Sequence, residues 1–212
     1  MKSKSSYQKD MSKEKLLFKH LDSIYIEIFK SSRFSITRNQ DINLQHLGVD
    51  LILSDGVKKI YVDEKAQLDY LNHSLPTFAF EISYLKKKLW HKGWLMDKHK
   101  LTNIYFLITS IYTKQNDNLK SGLKHIKLTG IYRDKLIKLL FSKGLSESKL
   151  YDIEKKIRTK GNHGKINLDG LNPSTEGYIY FSKNNKNEQP INLVLKLKFL
   201  TNNFTGKTLF RL

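Results

Sequence analysis

Apolar residues recur at helical spacing through Leu17, Leu21, Ile24 and Ile28, with Leu16, His20 and Tyr25 alongside. That period predicts a helix opened by Ser12 as N-cap and closed near Ser31-Ser32. Before it, residues 1–11 are polar and lysine-rich and read as a flexible tail. Short β-branched segments follow. Phe34–Thr37 is one; His46–Leu53, entered through Gly48, is a second. Ser54-Asp55-Gly56 reads as a hairpin turn, with Lys58–Leu68 as the answering strand. Thr77–Ser83 is a further strand, and the apolar run Asn103–Tyr112 has the pattern of a fully buried one. After a polar loop over Lys114–Lys120, Tyr132–Phe141 fits a helix closed by Gly144, and Ser146 opens another with Leu150, Ile153 and Ile157 on one face. Lys160–Pro173 reads as loop. Gly177–Ser182 and Ile191–Leu200 read as terminal strands, the last alternating Leu195, Leu197 and Phe199 against Lys196 and Lys198. The order predicts an α/β protein with a central mixed β-sheet flanked by helices.

Charge changes this picture most. Lys and Arg number 38 against 20 Asp and Glu, a net charge of +18. Such a field favours polyanions, nucleic acid before anionic membrane. It is uneven: residues 1–106 carry 18 basic and 12 acidic side chains, residues 107–212 carry 20 and 8. This division suggests chemistry in the first half and polyanion grip in the second. The absence of cysteine excludes disulfides, thiolate-held metals and a thiol nucleophile. There is no long apolar run of membrane-spanning length and no apolar leader near Met1, so an intracellular, cytoplasmic protein is the expectation.

The hairpin holds the candidate chemistry. Asp50 begins one strand, and the next reads Ile60-Tyr61-Val62-Asp63-Glu64-Lys65-Ala66-Gln67. Alternation places Tyr61, Asp63, Lys65 and Gln67 on one face and Ile60, Val62, Glu64 and Ala66 on the other. A two-stranded hairpin can bring Asp50 beside Asp63 and Lys65. Carboxylates placed together repel unless a cation joins them, and such hard oxygen donors suit Mg²⁺ or Mn²⁺. With this net charge, the matching substrate is a phosphodiester backbone.

Asp50 followed by Asp63-Glu64-Lys65 on an answering strand resembles the PD-(D/E)XK nuclease superfamily of restriction endonucleases, repair nucleases and junction resolvases. The likeness covers about residues 12–112 and is extended by Gln67, by Glu81 in Phe78–Ser83, and by Lys92-Gly93-Trp94-Leu95 ahead of the apolar strand. Val49 stands in place of the name-giving proline, and Asp63 in place of the commoner glutamate. The resemblance implies a restriction-endonuclease-like core over residues 12–115, with residues 116–212 as a basic helical and strand extension packed on it. It implies Asp50 and Asp63 as metal ligands, with the Glu64 carbonyl as a further one. Lys65 would orient the attacking water, Gln67 would support the site, and Glu81 and Glu14 would be additional acids. The implied activity is Mg²⁺-dependent DNA endonuclease action, of restriction or mobile-element type, leaving a 5′-phosphate and a 3′-hydroxyl. Double-stranded DNA is the implied partner and a homodimer the implied assembly, since two strands need two sites.

Other features are weighed against this reading. Glu147-Ser148-Lys149 and Glu154-Lys155-Lys156 repeat the acid–x–lysine spacing but lie in a predicted helix, as solvated charge. The histidines show no convincing helical ligand spacing. Gly130-Ile131-Tyr132 and Tyr178-Ile179-Tyr180 lie too far apart for a GIY-YIG hairpin. Lys86, Lys87, Lys88 and Lys92, interleaved with Trp90 and Trp94, read as a nucleic-acid grip, as do Lys196 and Lys198. The four-residue spacing of the tryptophans, however, suits packing on a helix better than a grip on nucleic acid. The competing reading of the whole chain is a non-enzymatic basic nucleic-acid-binding protein whose acids are structural.

Overall fold

Leu17, Leu21 and Tyr25, spaced four apart and fully buried, draw the first helix onto a sheet. The computed structural model describes residues 3–184, 187–203 and 205–211. Its helix α1 spans Ser3–Phe29. The backbone is therefore helical well before Ser12, which is an interior residue rather than the N-cap; residues 1 and 2 of the expected tail lie outside the described residues. The earlier start follows from lysine, glutamine and serine all tolerating helix, with no Gly or Pro to interrupt it.

The chain is α/β, with two sheets and five helices among the described residues. It divides into two compact units: Met1–Leu75, Thr102–Ile131 and Lys207–Leu212 form one, Pro76–Leu101 and Tyr132–Gly206 the other. The units interleave along the chain, so the expected cut at residue 115 does not separate them. The long-range strand pairing decides the division, and sequence order does not.

The first unit holds a six-stranded mixed sheet in the order β1-β2-β3-β6-β7-β11. Strands β1 (Ser35–Arg38), β2 (Leu51–Ser54) and β3 (Lys59–Ala66) form an antiparallel meander. The Ser54-Asp55-Gly56 turn is where the sequence places it, with Asp55 Oδ1 accepting from the amides of Val57 at 3.1 Å and Lys58 at 2.7 Å. Strand β6 (Ile104–Thr113) joins β3 in parallel, pairing Asp63 with Tyr105 and Lys65 with Leu107. It is buried almost throughout, as its unbroken apolar run predicts. Strands β7 (Leu123–Tyr132) and β11 (Gly206–Arg211), neither expected from the sequence, complete the sheet. Lysines within both interrupt the apolar alternation that would have marked them. The α1 face of this sheet is a core of Leu51, Leu53, Val62, Ile104, Phe106 and Ile108.

The second unit is a five-stranded antiparallel sheet in the order β5-β4-β10-β9-β8. Its strands are β4 (Thr77–Lys86), β5 (Leu89–Lys92), β8 (Gly164–Ile166), β9 (Gly177–Phe181) and β10 (Ile191–Lys196). Helices α3 (Arg133–Ser142) and α4 (Glu147–Lys160) fall where their periodicity predicts, and the Ser146 side chain caps α4 by accepting from the Lys149 amide. Helix α5 (Leu197–Asn202) corrects the expected strand over Ile191–Leu200. Leu197, Phe199 and Leu200 are all buried, a set that a helical turn can bury as well as a strand.

The basic aromatic stretch is a hairpin, β4 to β5, with Lys87 and Lys88 as the turn. The tryptophans therefore diverge: Trp90 lies on β5, while Trp94 lies past it with its ring 5.3 Å from that of Phe80. Gly93 is there because backbone passes against it. A Cβ at that position would stand 2.3 Å from the Glu81 carbonyl oxygen. Gly93→Ala is expected to destabilise the protein by about 1–3 kcal/mol or more, measured as a drop in the urea midpoint.

Candidate functional site

Asp50 is the last residue before β2, and its backbone is held at both its amide and its carbonyl. Its amide donates to the Val62 carbonyl at 2.8 Å, and its carbonyl accepts from the Asn39 amide at 2.8 Å. The buried Asn39 side chain donates to the Val49 carbonyl at 2.7 Å, and Thr102 Oγ1 donates to the Gly48 carbonyl at 2.8 Å. Residues 46–50, expected as strand, are instead the end of a short helix and a turn. Helix α2 (Ile42–His46) is capped by Asp41, and the chain reverses at Gly48, whose φ of +76° suits glycine.

The register then sets the faces. Leu51 pairs with Val62 and both point toward α1, so Asp50 and Asp63 share the opposite face. The Asp50 carboxylate accepts the Glu64 amide through Oδ2 at 2.8 Å. It lies near enough to the Asp63 carboxyl group to help raise its pKa. Lys65 Nζ donates to Asp63 Oδ1 in an ion pair. The structure thus brings Asp50, Asp63 and Lys65 together. Asp63 is 2% exposed, while the Lys65 side chain keeps 28% and Asp50 is half-buried. Solvent reaches the group along its Asp50 and Lys65 sides.

Burial is the largest influence on Asp63. It pushes the carboxyl up to about 6; Lys65 opposes this and Asp50 reinforces it. Two carboxylates facing each other on adjoining strands, one of them buried, are donors that a divalent cation can hold together.

The Glu64 side chain faces the other way, as alternation requires. It accepts from Tyr25 Oη at 2.6 Å and from the Arg38 guanidinium, which also donates to Asp22 Oδ1 at 2.8 and 2.6 Å and lies 4.5 Å from the Phe18 ring centre. Burial holds the Glu64 carboxyl above the ordinary carboxylate range, against the pull of Arg38 and Tyr25. Burial and Glu64 push the Tyr25 phenol well up. Burial alone would lower the Arg38 guanidinium, but hydrogen bonds to Glu64 and Asp22 outweigh it and raise it. This network beneath the site was not legible: no local pattern marks Asp22, Arg38 or Asn39, and Tyr25 stands only beside the apolar stripe of the first helix.

Of the other expected site residues, Glu14 lies apart from this group. Glu14 is exposed on α1, the helix covering the opposite face of the sheet from Asp63. Gln67 is half-buried just past β3, its amide donating to the Ile108 carbonyl at 3.0 Å. Glu81 lies half-buried on β4 of the second unit. Among the described residues no group of three or more Asp, Glu, His or Cys side chains converges as a metal cage, so the acidic donors at this point are the Asp50–Asp63 pair. Of the basic residues, Lys86, Lys87 and Lys88 are exposed, while Lys92 is engaged by Glu147 at 3.0 Å. Lys196 ends β10 and Lys198 is exposed on α5, so the two do not form one strand face. Set against protein-family models, curated proteins and solved structures, the chain matches none.

Proposed function

We propose that this chain is a Mg²⁺-dependent DNA endonuclease of restriction or mobile-element type, built on a restriction-endonuclease-like core. The observation that carries the reading is the meeting of Asp50, Asp63 and Lys65 on one side of adjoining strands. The donor set fits the ion. Mg²⁺ is commonly held by one or two carboxylates while keeping several waters, and Mn²⁺ accepts the same hard oxygens. Asp50 and Asp63 would hold it, with the Glu64 carbonyl as a further ligand. When bound, the ion supplies positive charge to the phosphodiester and lowers the pKa of an attacking water.

The chain's own groups do the positioning. The Glu64 amide fixes Asp50 through Oδ2, and the antiparallel ladder fixes Asp63 opposite. Lys65, partly exposed beside Asp63, orients the attacking water by donating to it and offsets charge on the phosphate. The water oxygen bonds to phosphorus and the bond to the 3′ oxygen breaks. That oxygen takes up a proton as a hydroxyl, and the 5′-phosphate remains. Gln67, at the end of the same strand, would support the site. Cutting both strands calls for two sites, which a two-fold homodimer on the duplex provides.

The test is conversion of supercoiled plasmid to nicked or linear form with Mg²⁺, abolished by chelation. Stable binding governed by salt alone and indifferent to Mg²⁺, with no cleavage, would replace this reading by the non-enzymatic basic binder.

A further inference from the structure

The β4–β5 hairpin combines strain, unneutralised charge and an exposed apolar tip. Its two turn residues, Lys87 and Lys88, both lie at positive φ, 51° and 63°. These are the angles of a type I′ turn, which favours Asn-Gly. Side chains with a Cβ are disfavoured there, so two lysines at this turn place charge at the tip against the backbone's preference. Neither they nor Lys86 makes an ion pair among the described residues. Leu89 pairs with Lys86 across the tip and is 66% exposed.

The hairpin is braced by α4 on one face. The Arg158 guanidinium of α4 stacks 3.4 Å from the Trp90 ring centre, and its Nη2 donates to Ser83 Oγ at 2.5 Å. Trp90 and Ser83 belong to the face shared with Leu85; Lys86, Leu89 and the stacked Tyr84–His91 pair occupy the other. That face ends in the exposed Leu89 beside the tip lysines, while further back Glu81, Glu188 and Asp97 lie near enough to Tyr84 to help raise its phenol.

We infer that this hairpin enters a groove of double-stranded DNA, with Lys86, Lys87 and Lys88 on phosphates and Leu89 wedged at a base step. The major groove admits a two-stranded β-ribbon, and single leucines serve as wedges that unstack a step. An anionic membrane suits the geometry less. Trp90 is 48% exposed but stacked against Arg158, so Leu89, 66% exposed, is the more accessible apolar side chain of the tip, and its burial provides only about 1.5–3 kcal/mol. The inference takes nucleic acid as the partner, as the proposed function does, but needs no cleavage.

The experiment is fluorescence anisotropy of the full chain with a labelled duplex of about 20 base pairs, in chelator, across a salt series. Lys87→Asn/Lys88→Gly installs the favoured turn pair, so the fold is retained while two cations are lost. The slope of log K against log[salt] is expected to fall by about 1.8. Leu89→Ser is expected to leave that slope unchanged and to remove the 2-aminopurine fluorescence rise that the wild type causes on binding. An unchanged slope in the turn variant overturns the inference. So does equal affinity for double-stranded RNA, whose deep, narrow major groove excludes a ribbon. Stronger binding to phosphatidylserine vesicles than to the duplex overturns it in favour of a membrane. Plasmid cleavage that persists while the turn variant shows no slope change sinks the hairpin alone. Intact hairpin effects with no cleavage sink the nuclease alone.

Discussion

Asp63→Asn is expected to make the metal-free protein more stable at pH 7 and to abolish Mg²⁺-dependent cleavage. The stability gain follows from burial. The Asp63 carboxyl is pushed up to about 6 in the fold, first by desolvation and then by Asp50. A group whose native pKa lies above its unfolded value makes stability fall as pH rises between the two. For the wild type that window runs from about pH 4 to about 6, and above it the full penalty of an ionised, buried Asp63 applies. Asparagine carries no such charge. The gain at pH 7 is expected to reach about 1–3 kcal/mol, and the variant's stability profile should be flatter between pH 4 and 6. Mg²⁺ is expected to separate the two proteins. By binding the native pair it should raise the wild-type melting temperature, by about 2.7 kcal/mol in stability at one hundred times Kd, and leave Asp63→Asn unmoved. Thermal melts with and without Mg²⁺, beside plasmid cleavage, check both halves. A variant that still cuts, or a wild type whose melt ignores Mg²⁺, would remove the assignment.

Arg38→Met is expected to cost about 3–5 kcal/mol. Arg38 is the cationic partner of Glu64, whose side chain is almost wholly buried, and methionine leaves that charge with the Tyr25 hydroxyl alone. In a chain of 212 residues this corresponds to a fall in melting temperature of about 10 °C or more. The loss should be greater at pH 8 than at pH 5. Without Arg38 the Glu64 carboxyl moves further above its ordinary range, so its neutral, tolerated form persists only on the acid side. Arg38→Met/Glu64→Gln removes both charges and should recover most of the stability, because a buried pair replaced as a unit is often close to neutral. Urea denaturation of the single and double variants measures the difference. If Arg38→Met alone unfolds at the wild-type midpoint, the network is not what holds β3 to α1.

The expected site and the structure agree where the chemistry is local to one hairpin. Asp63 and Lys65 are two apart on a strand, and the Asp-Gly turn sets how β2 returns to β3, so their shared face was readable from residue types and spacing alone. Glu14, expected from further away, did not join them, since it is on the helix of the opposite face; Glu81 belongs to the second unit. Alternation also separates Glu64 from its neighbours, and its partners lie in α1 and β1. No local pattern marks a tyrosine or an arginine as a buried counterpart across such distances.

The sequence by itself determined the helices with clear apolar stripes, the buried β6, the meander and the pairing of two carboxylates with a lysine. These rest on periodicity and turn chemistry, which act over a few residues. Tertiary structure alone decided that Leu197–Asn202 is helix, that lysine-bearing β7 and β11 finish a sheet, and that the chain leaves one unit at residue 76 and returns at 102. Those outcomes depend on which strand edges meet, and strand partners far apart in sequence are chosen by hydrogen bonding and burial across the whole fold.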